Sequence, residues 1–466
     1  MNSALNRAVW ILLILTPVFS LHAQSIDTLW TKIYWCGSYD SVGSVRETSD
    51  HGFIMTTISV LPSRSDYDMS LIKTDSLGVV EWTKYYGSTL HEGGFHAFQT
   101  FDGGYLVSAQ SKLTGATGGI WVVKTDAAGD SIWTFAYCPD NRGAFAQYAI
   151  QLADSSYAIT GYINRAATYG DAFILRLDKE GGFLGYNDYT NNYTQDGKYI
   201  AQMADSGFMV AGTFRHTYST EEDFWVFRTD KGLNLLWDSS YAFTSGNDDL
   251  GGACIVADGL VMAGWTNTIG QLLKIDFDGH TQWFKNFAKG RNEEHYNSIT
   301  ATRDGGFMVG GFANEPSYRR DYIFVKFNSV GDTLWTYMVK GVDDDHGRSV
   351  IQTYDGNYVM AGKSASWVNG TCTWLVKIGA PSCCIGKVGD VNGDGNPEPT
   401  LGDISLLIDA LYISMNVGEL PCLAEADVNQ SGGADPTTDD ISVVDVQILI
   451  DYLYITGSSL GINDCL

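Results

Sequence analysis

The sequence predicts an all-β repeat protein followed by a small α-helical module, and three observations support this prediction. Trp recurs at a nearly constant spacing along most of the chain. A turn that begins with Asp recurs in step with it, and each turn is followed by a run rich in β-branched and aromatic residues. Helical periodicity begins only after Pro381. A constant period of about 50 residues indicates a repeat architecture before any single residue is considered.

The recurring Trp positions mark one strand in each repeat. Successive positions are 52, 51, 52, 52, 46 and 52 residues apart, and one of them is Gly instead of Trp. We interpret the recurring Trp as a packing residue between repeats, since Trp buries a large apolar surface. The positions are Trp30, Trp82, Trp133, Gly185, Trp237, Trp283 and Trp335.

Each repeat contains four apolar runs separated by turn residues, most clearly between Asp102 and Trp133. Asp-Gly and Gly-Gly favour tight hairpins, because Gly takes positive φ without a steric penalty. Seven units of four antiparallel strands predict a seven-bladed β-propeller over residues 24–380. A solenoid is the alternative, but it needs atypical polar repeats at its ends. The seven turn residues are Asp50, Asp102, Asp154, Asp205, Asp258, Asp304 and Asp355.

The two ends of the repeat region complement each other. The chain starts with a lone fourth strand, Asp27–Trp35, and the repeats end on a third strand, Thr371–Ile378. We therefore expect the first strand to complete the last blade, which closes the ring and leaves no open sheet edge. Cys36 and Cys372 would then lie on neighbouring strands, where a disulfide would clamp the ring.

Composition and the N-terminus indicate an exported protein. The formal charge of −25 argues against nucleic acid or anionic lipid as the main partner. Residues 1–23 have the features of a secretory signal, with Arg7 before the apolar run Val9–Phe19 and a cleavage site before Gln24. We expect a secreted or cell-surface protein that is not integral to a membrane after cleavage. Eight cysteines are compatible with disulfides in that environment.

A row of carboxylates is the candidate site on the propeller. Ten residues before each turn Asp, five of the seven positions are acidic. Equivalent positions form a ring about a propeller axis, so these groups predict a cation site or a funnel for a cationic ligand at the channel mouth. The structural alternative is that each carboxylate accepts backbone N–H bonds within its own repeat. The residues are Asp40, Glu92, Asp248, Glu294 and Asp345.

No catalytic residue can be assigned from the sequence. Glycoside hydrolysis needs an acid and a second carboxylate in distinct environments, and no pair stands out. The nucleophile elbow G-x-S-x-G, the phosphate-binding loop and the dinucleotide fingerprint are all absent from the sequence. We therefore lean towards a protein that is not an enzyme.

The C-terminal region, residues 383–466, carries a repeated metal-binding pattern. GDVNGDGN and ADVNQSGG present side-chain oxygens at alternating positions, and each is followed by a helical run that brings a further Asp. Ca²⁺ binds six to eight such oxygens. An Asx-rich turn without metal is the alternative. The predicted Ca²⁺ ligands are Asp390, Asn392, Asp394, Asn396 and Asp403 in the first loop, and Asp427, Asn429, Ser431 and Asp445 in the second.

Two resemblances follow from these motifs. Residues 27–380 resemble bacterial propeller repeats with a DGGY-type turn and a K-x-D-x-x-G-x-x-x-W ending. The tandem loop and helix pair resembles a dockerin, an EF-hand-like calcium module that binds cohesin domains. This resemblance implies a cohesin-like partner. Leu401-Gly402 and Val443-Val444 stand where dockerins usually carry a Ser/Thr recognition pair.

The leading hypothesis is a secreted, non-catalytic binding or scaffold propeller that a calcium-dependent dockerin-like module tethers to its partner, with a glycan as one candidate ligand. A secreted carbohydrate-active hydrolase that carries a dockerin is the first alternative. A structural protein of the cell envelope is the second.

Overall fold

The structure is a computed structural model of the chain. For Trp35, Cys36, Gly37, Asp40 and Val60 it describes the backbone alone, and residues 1–25, which hold the predicted signal segment, lie outside the described residues. The described residues are 26–37, 40–60, 67–87, 91–112, 118–139, 142–164, 170–189, 194–215, 221–243, 246–287, 293–314, 319–367, 370–379, 401–413 and 441–450.

Seven antiparallel sheets form the blades of a propeller, which confirms the predicted all-β seven-bladed fold. In blades one to six the chain runs from the inner strand at the channel to the outer strand. The first strand and blades one to four comprise β1 (Thr28–Gly37); β2 (Asp40–Glu47), β3 (Phe53–Val60), β4 (Tyr67–Thr74) and β5 (Val80–Tyr86); β6 (Glu92–Gln99), β7 (Tyr105–Ser111), β8 (Gly119–Thr125) and β9 (Ser131–Tyr137); β10 (Ala144–Gln151), β11 (Tyr157–Asn164), β12 (Gly170–Leu177) and β13 (Phe183–Tyr189); and β14 (Thr194–Gln195), β15 (Tyr199–Gln202), β16 (Phe208–Arg215), β17 (Glu222–Thr229) and β18 (Leu235–Tyr241).

The last blade takes its outer strand from the start of the chain. Its order is β1-β29-β28-β27, and β1 pairs antiparallel with β29, as predicted. The register places Cys36 opposite Cys372. Blades five to seven comprise β19 (Asp248–Val256), β20 (Gly259–Thr266), β21 (Ile269–Ile275) and β22 (Thr281–Phe287); β23 (Glu293–Ala301), β24 (Phe307–Asn314), β25 (Arg320–Phe327) and β26 (Thr333–Val339); and β27 (Asp345–Gln352), β28 (Tyr358–Ser364) and β29 (Thr371–Ile378).

The repeated Trp packs between blades, against the aromatic residue of the next blade's hairpin turn. The Trp133 ring lies 6.0 Å from that of Tyr157. The next outer turn also closes on the Trp ring, because a Cβ added at Gly181 would lie 2.8 Å from Trp133. The two repeated features of the sequence therefore meet at blade interfaces. The ring pairs are Trp30–Phe53, Trp82–Tyr105, Trp133–Tyr157, Trp283–Phe307 and Trp335–Tyr358.

The turn Asp serves the repeat through an ion pair with the basic residue of the third strand. Lys124 is 2% exposed, and its Nζ lies 2.9 Å from Asp102 Oδ2. The same pair occurs in all seven blades, and in the five where the cation is buried the hairpin turn beside it neutralises the charge. The pairs are Lys73–Asp50, Lys124–Asp102, Arg176–Asp154, Arg228–Asp205, Lys274–Asp258, Lys326–Asp304 and Lys377–Asp355.

Six inner strands carry a β-bulge at the same position, and in blade four the strand divides into β14 and β15 there. A bulge sets two residues against one and turns a side chain away from the regular pleat. In five blades the strand that pairs with the inner strand has Gly at the position opposite the bulge. A Cβ added at Gly311 would lie 1.8 Å from the carbonyl oxygen of His295, so only Gly fits.

Two short helices are described in the C-terminal region. Helix α1 (Leu401–Ile408) continues as a π-helical turn, Asp409–Ile413, and helix α2 spans Val443–Ile450. They pack together through a small apolar cluster that includes Leu407 and Leu449, both fully buried. Within the described residues, no helix has the length and apolar character needed to cross a membrane.

Candidate ligand site in the central channel

The predicted carboxylates lie at the start of the inner strands but are not open to the channel. Glu92, Asp248, Glu294 and Asp345 are each at most 3% exposed. Each accepts a hydrogen bond from a nearby strand or loop, and the donor is a backbone N–H in one case and a side-chain hydroxyl in three. These bonds run from Ser111 Oγ to Glu92 Oε1 (3.2 Å), from Phe243 N to Asp248 Oδ2 (3.0 Å), from Tyr296 OH to Glu294 Oε1 (2.8 Å) and from Ser366 Oγ to Asp345 Oδ2 (2.9 Å).

Burial has an electrostatic consequence at Asp345. Burial raises the pKa of this carboxyl group, and the neighbouring carboxylate of Asp321 acts in the same direction. The hydrogen bonds from Ser364 and Ser366 oppose them, and the resulting pKa is about 6. A carboxylate that is held this way is poorly suited to attract a cationic ligand from the channel. The predicted funnel for a cationic ligand is therefore not favoured by the geometry.

The side chains that do reach the channel come from the bulges. They surround a cavity of about 520 Å³ on the propeller axis. We call this set the bulge ring, and it lies seven residues before the turn Asp of each blade, three residues nearer than the predicted carboxylates. Its members differ from blade to blade. They are Gly43, Phe95, Gln147, Lys198, Gly251, Asn297 and Arg348.

A belt of hydrogen bonds makes the cavity wall rigid just beyond the bulge ring. Ser44 Oγ accepts a bond from Ala97 N of the next blade at 3.0 Å, and Ser298 and Ser349 repeat this contact at 3.1 and 3.2 Å. Each bond ties an inner strand to its neighbour. The wall is therefore pre-formed, as is usual for ligand pockets.

An aromatic and cationic group occupies the wall in blades one to three. The His96 ring stacks on Tyr148 with centroids 3.9 Å apart, and Arg46 Nη2 donates to Tyr148 OH at 3.1 Å. Burial, together with the charge of Arg46, holds the pKa of His96 well below its usual range. His96 is therefore a neutral ring in the wall at neutral pH.

Lys198 connects two carboxylates in blades four and five. Its Nζ lies 2.5 Å from Asp249 Oδ1 and 3.8 Å from Asp196 Oδ2. Burial would lower the pKa of Lys198, but these two carboxylates raise it above the ordinary value. Lys198 is thus charged, and the carboxylates of Asp196 and Asp249 compensate its charge. Asp249 also lines the cavity.

A continuous stack of rings extends across blades five to seven at the cavity edge. Trp265 lines the cavity and stacks on His295 at 4.6 Å, and His295 stacks on Phe312 at 4.6 Å. Phe312 in turn lies 4.4 Å from the His346 ring, and the Arg320 guanidinium lies 5.2 Å from the Phe312 centroid. The stack presents an indole ring and several cations on one side of the channel.

The charges beside this stack are not fully compensated. Burial, then the charges of Lys363 and Arg320, lower the pKa of His346 to about 3. Burial followed by Arg348 and Arg320 also lowers the pKa of Lys363. Arg320 has a carboxylate partner, since its Nε lies 3.1 Å from Glu293 Oε2.

The predicted calcium ligands are described only in part. Asp403 and Asp445 are each the third residue of their helix and are buried. Asp445 Oδ2 accepts bonds from Ser442 N at 2.8 Å and from its Oγ at 3.1 Å, which caps α2. The other predicted ligands, Asp390, Asn392, Asp394, Asn396, Asp427, Asn429 and Ser431, lie outside the described residues.

One group of potential metal ligands occurs elsewhere among the described residues. Asp276, Asp278 and His280 lie together in the turn between β21 and β22. Asp276 Oδ1 accepts the backbone N–H bonds of Asp278 (3.0 Å) and His280 (2.8 Å), as the equivalent Asp does in other blades. These bonds explain the turn without a metal.

Sequence reasoning did not identify the bulge ring. The available indication was the position seven residues before the turn Asp, where five of the seven residues are polar, charged or aromatic and two are Gly. The repeated carboxylates drew attention first, because residues shared by the units of a repeat are the easiest to recognise.

The chain matches no protein-family model and no curated protein. It is similar to several solved structures in fold. One is a protein of unknown function from Dyadobacter fermentans DSM 18053, with 7% identity over 76% of this chain and 99% of that chain, and a TM-score of 0.47. Another is the β-propeller domain of the Trilobed protease from Pyrococcus furiosus, with 10% identity over 73% of this chain and 94% of that chain, and a TM-score of 0.43. A glucose dehydrogenase shares 10% identity over 63% of this chain and 99% of that chain, with a TM-score of 0.39. At these identities the similarity concerns the fold alone.

Proposed function

We propose that the propeller is a secreted, non-catalytic binding domain whose central cavity takes a saccharide. The observation that carries this proposal is the bulge ring, in which seven equivalent positions present unlike side chains to one cavity of about 520 Å³. Ligand sites of this volume usually combine apolar walls with a few fixed polar groups. The belt of serine bonds supplies the fixed geometry that such a site needs.

The wall has the groups that bind sugars. Trp265 offers an indole ring for stacking, and Tyr148 offers a second aromatic ring. Asn297 donates its side-chain N–H to Gly347 O at 2.7 Å, so its amide is held in one orientation beside the cavity. Oriented amides and aromatic rings are the groups expected for a ligand with many hydroxyls and apolar C–H faces.

The test is calorimetric titration of the full-length chain with a panel of oligosaccharides, followed by thin-layer analysis of the mixture. We expect binding without product formation, and loss of binding in Trp265→Ala. Trp367→Ala is the matched control, because Trp367 is exposed and does not line the cavity. If both variants bind equally well, the cavity is not the site.

A secreted carbohydrate-active hydrolase is the second candidate, and one observation favours it. Burial raises the pKa of Asp196, while Lys198 opposes this shift, and the carboxylate of Asp249 lies on the same lysine. Two carboxylates in different environments are the requirement for glycoside hydrolysis. Release of sugar that Asp249→Asn abolishes, with binding retained, would establish this candidate over the first.

We also propose that the C-terminal region is a dockerin-like module that binds Ca²⁺ and then a cohesin-like protein. In support, Asp403 and Asp445 occupy equivalent places in α1 and α2, and both helices contribute to one apolar cluster. In a calcium loop followed by a helix, a carboxylate in the first helical turn completes the shell.

Calcium titration of the full-length chain tests this module. Wild type should bind Ca²⁺, and Asp403→Ala should weaken at least one site, whereas Asp409→Asn, a nearby acidic position, should not. Capture of a partner in calcium but not in chelator would support docking. Equal capture in both conditions would argue against it.

A further inference from the structure

We propose that the saccharide carries a carboxylate, which binds to Arg348 in the cavity whose wall also includes Trp265. This inference rests on the proposed saccharide-binding function and names the chemical class of its ligand. It reverses the sign of charge that the sequence led us to expect at the channel.

The first argument is the placement of Arg348. Arg348 belongs to the bulge ring and lines the cavity. Lys363 pairs across the strands with His346, two residues before Arg348, and the charge of Arg348 acts on both. A second cation on the adjacent strand therefore lies near Arg348, although it is not among the residues that line the cavity.

The second argument is the lack of an ion pair at Arg348. Among the described residues neither Arg348 nor Lys363 forms an ion pair, whereas the basic residue of every third strand does. The charge of Asp344 acts on Lys363, so Arg348 is the cation better placed to take an anionic ligand. The Arg348 side chain is exposed and lines the cavity, so its guanidinium is accessible to that ligand.

The surrounding groups favour a ligand whose carboxylate is attached to a sugar ring. Glu293 is already bound to Arg320 and lies 3.1 Å from His295 Nε2, so it does not neutralise Arg348. A guanidinium binds a planar carboxylate through two parallel bonds. Trp265, on the wall of the same cavity, provides the face on which the sugar ring would stack. Uronic acid residues combine both features.

The experiment compares a trisaccharide of galacturonic acid with the neutral galactose trisaccharide of the same linkage, using the full-length chain. We expect the acidic sugar to bind more tightly, and Arg348→Gln to weaken it by roughly tenfold or more, as loss of a charged hydrogen bond does. Neutral binding should be unchanged. Lys231→Gln is the matched control, because it removes one positive charge from an exposed turn in blade four.

The His346 imidazole gives an independent readout by NMR titration. A bound carboxylate should raise its pKa from the low value that burial and the cations around it produce. The nearby groups are Lys363, Arg320, Arg348, His295, Asp344 and Glu293.

Binding of the neutral sugar alone would leave the saccharide function intact and overturn this inference. Failure of both sugars would overturn both, and equal loss in Arg348→Gln and Lys231→Gln would reduce the effect to net charge.

Discussion

The outer part of every blade and the inner strand of every blade are built on opposite principles. The outer part repeats the same contacts around the ring, namely the buried cation with its turn Asp and, at most interfaces, a Trp against an aromatic residue. The inner strand repeats only its backbone, a bulge, and varies the side chain at that point. The difference teaches that residues shared by the repeats stabilise the ring, whereas residues that break the repeat are free to bind.

This comparison predicts effects of different size for substitutions. Removal of a shared contact should destabilise the protein, because that contact packs neighbouring blades together or neutralises a cation beneath a turn. Replacement in the bulge ring should change stability less, because its members are partly or fully exposed and make none of the shared contacts.

The largest expected effect is at the ring closure. The register of β1 and β29 places Cys36 opposite Cys372, and the proposed disulfide would close a loop of more than 300 residues. In the chain-entropy model such a loop contributes about 4 kcal/mol or more to stability. Cys372→Ala should therefore lower the denaturation midpoint under oxidising conditions and not under reducing ones. Cys254→Ala, at a free buried thiol, is the control that should not depend on redox state.

The next effect is loss of one repeated ion pair. Asp102→Ala would leave the buried Lys124 Nζ, Thr100 Oγ1 and Gly104 N without their common acceptor. Lys124 is buried but Asp102 is 60% exposed, so solvent screens part of the pair and the expected cost is about 1–3 kcal/mol. Urea denaturation should show this loss, whereas Asp130→Ala, which breaks an exposed pair with Lys84, should cost less than about 1 kcal/mol. Equal effects would mean that the repeated pair is not structural.

A substitution at His346, two residues before the bulge-ring position on the same inner strand, should instead change the pH dependence of stability. The pKa of His346 is about 3 in the folded protein against an ordinary value of 6.5. As the pH falls below 6.5 the unfolded chain takes up this proton and the folded one does not, so stability is lost on acidification. Between pH 7 and pH 5 this corresponds to about 2 kcal/mol.

His346→Gln should therefore resist acid better than the wild type, with the difference growing below pH 6.5. Thermal denaturation at several pH values measures it. His280→Gln, at an exposed histidine, is the matched control and should leave the pH profile unchanged. An identical profile for His346→Gln would show that this side chain is not buried among cations.

The repeats made the blade number, the closing strand and the inter-blade Trp predictable from the sequence, since each is a local pattern that recurs. The helical runs after Pro381 were also recognisable, although each helix begins two residues before the predicted Asp. The candidate site could not be predicted in this way. Arg348 and Trp265 come from different blades, and the packing of consecutive blades brings them to one cavity. The carboxylate row was visible because it repeats, and the four members whose side chains are described are buried.

The smallest effect concerns the one repeat that lacks the Trp, and it tests whether the shared frame is a set of residues or a set of contacts. At Gly185 an added Cβ would lie 3.8 Å from Leu233 Cδ1 of the next blade. Leu233 is 7% exposed and takes the left-handed conformation, φ 66°, at the position where other blades have Gly. Its side chain therefore fills the space that a Trp fills elsewhere.

Gly185→Trp should clash with Leu233, and Leu233→Gly should leave a cavity, each at a cost of about 1–3 kcal/mol. Together they should restore the usual Trp and Gly contact, so the double variant should be more stable than the sum of the single changes predicts by about 1 kcal/mol or more. A double-mutant cycle by urea denaturation measures this coupling. Additive costs would mean that the interface of blades three and four is built differently from the others. Coupling would mean that the feature which recurs around the ring is a filled interface between blades, and that either neighbouring blade can supply the side chain.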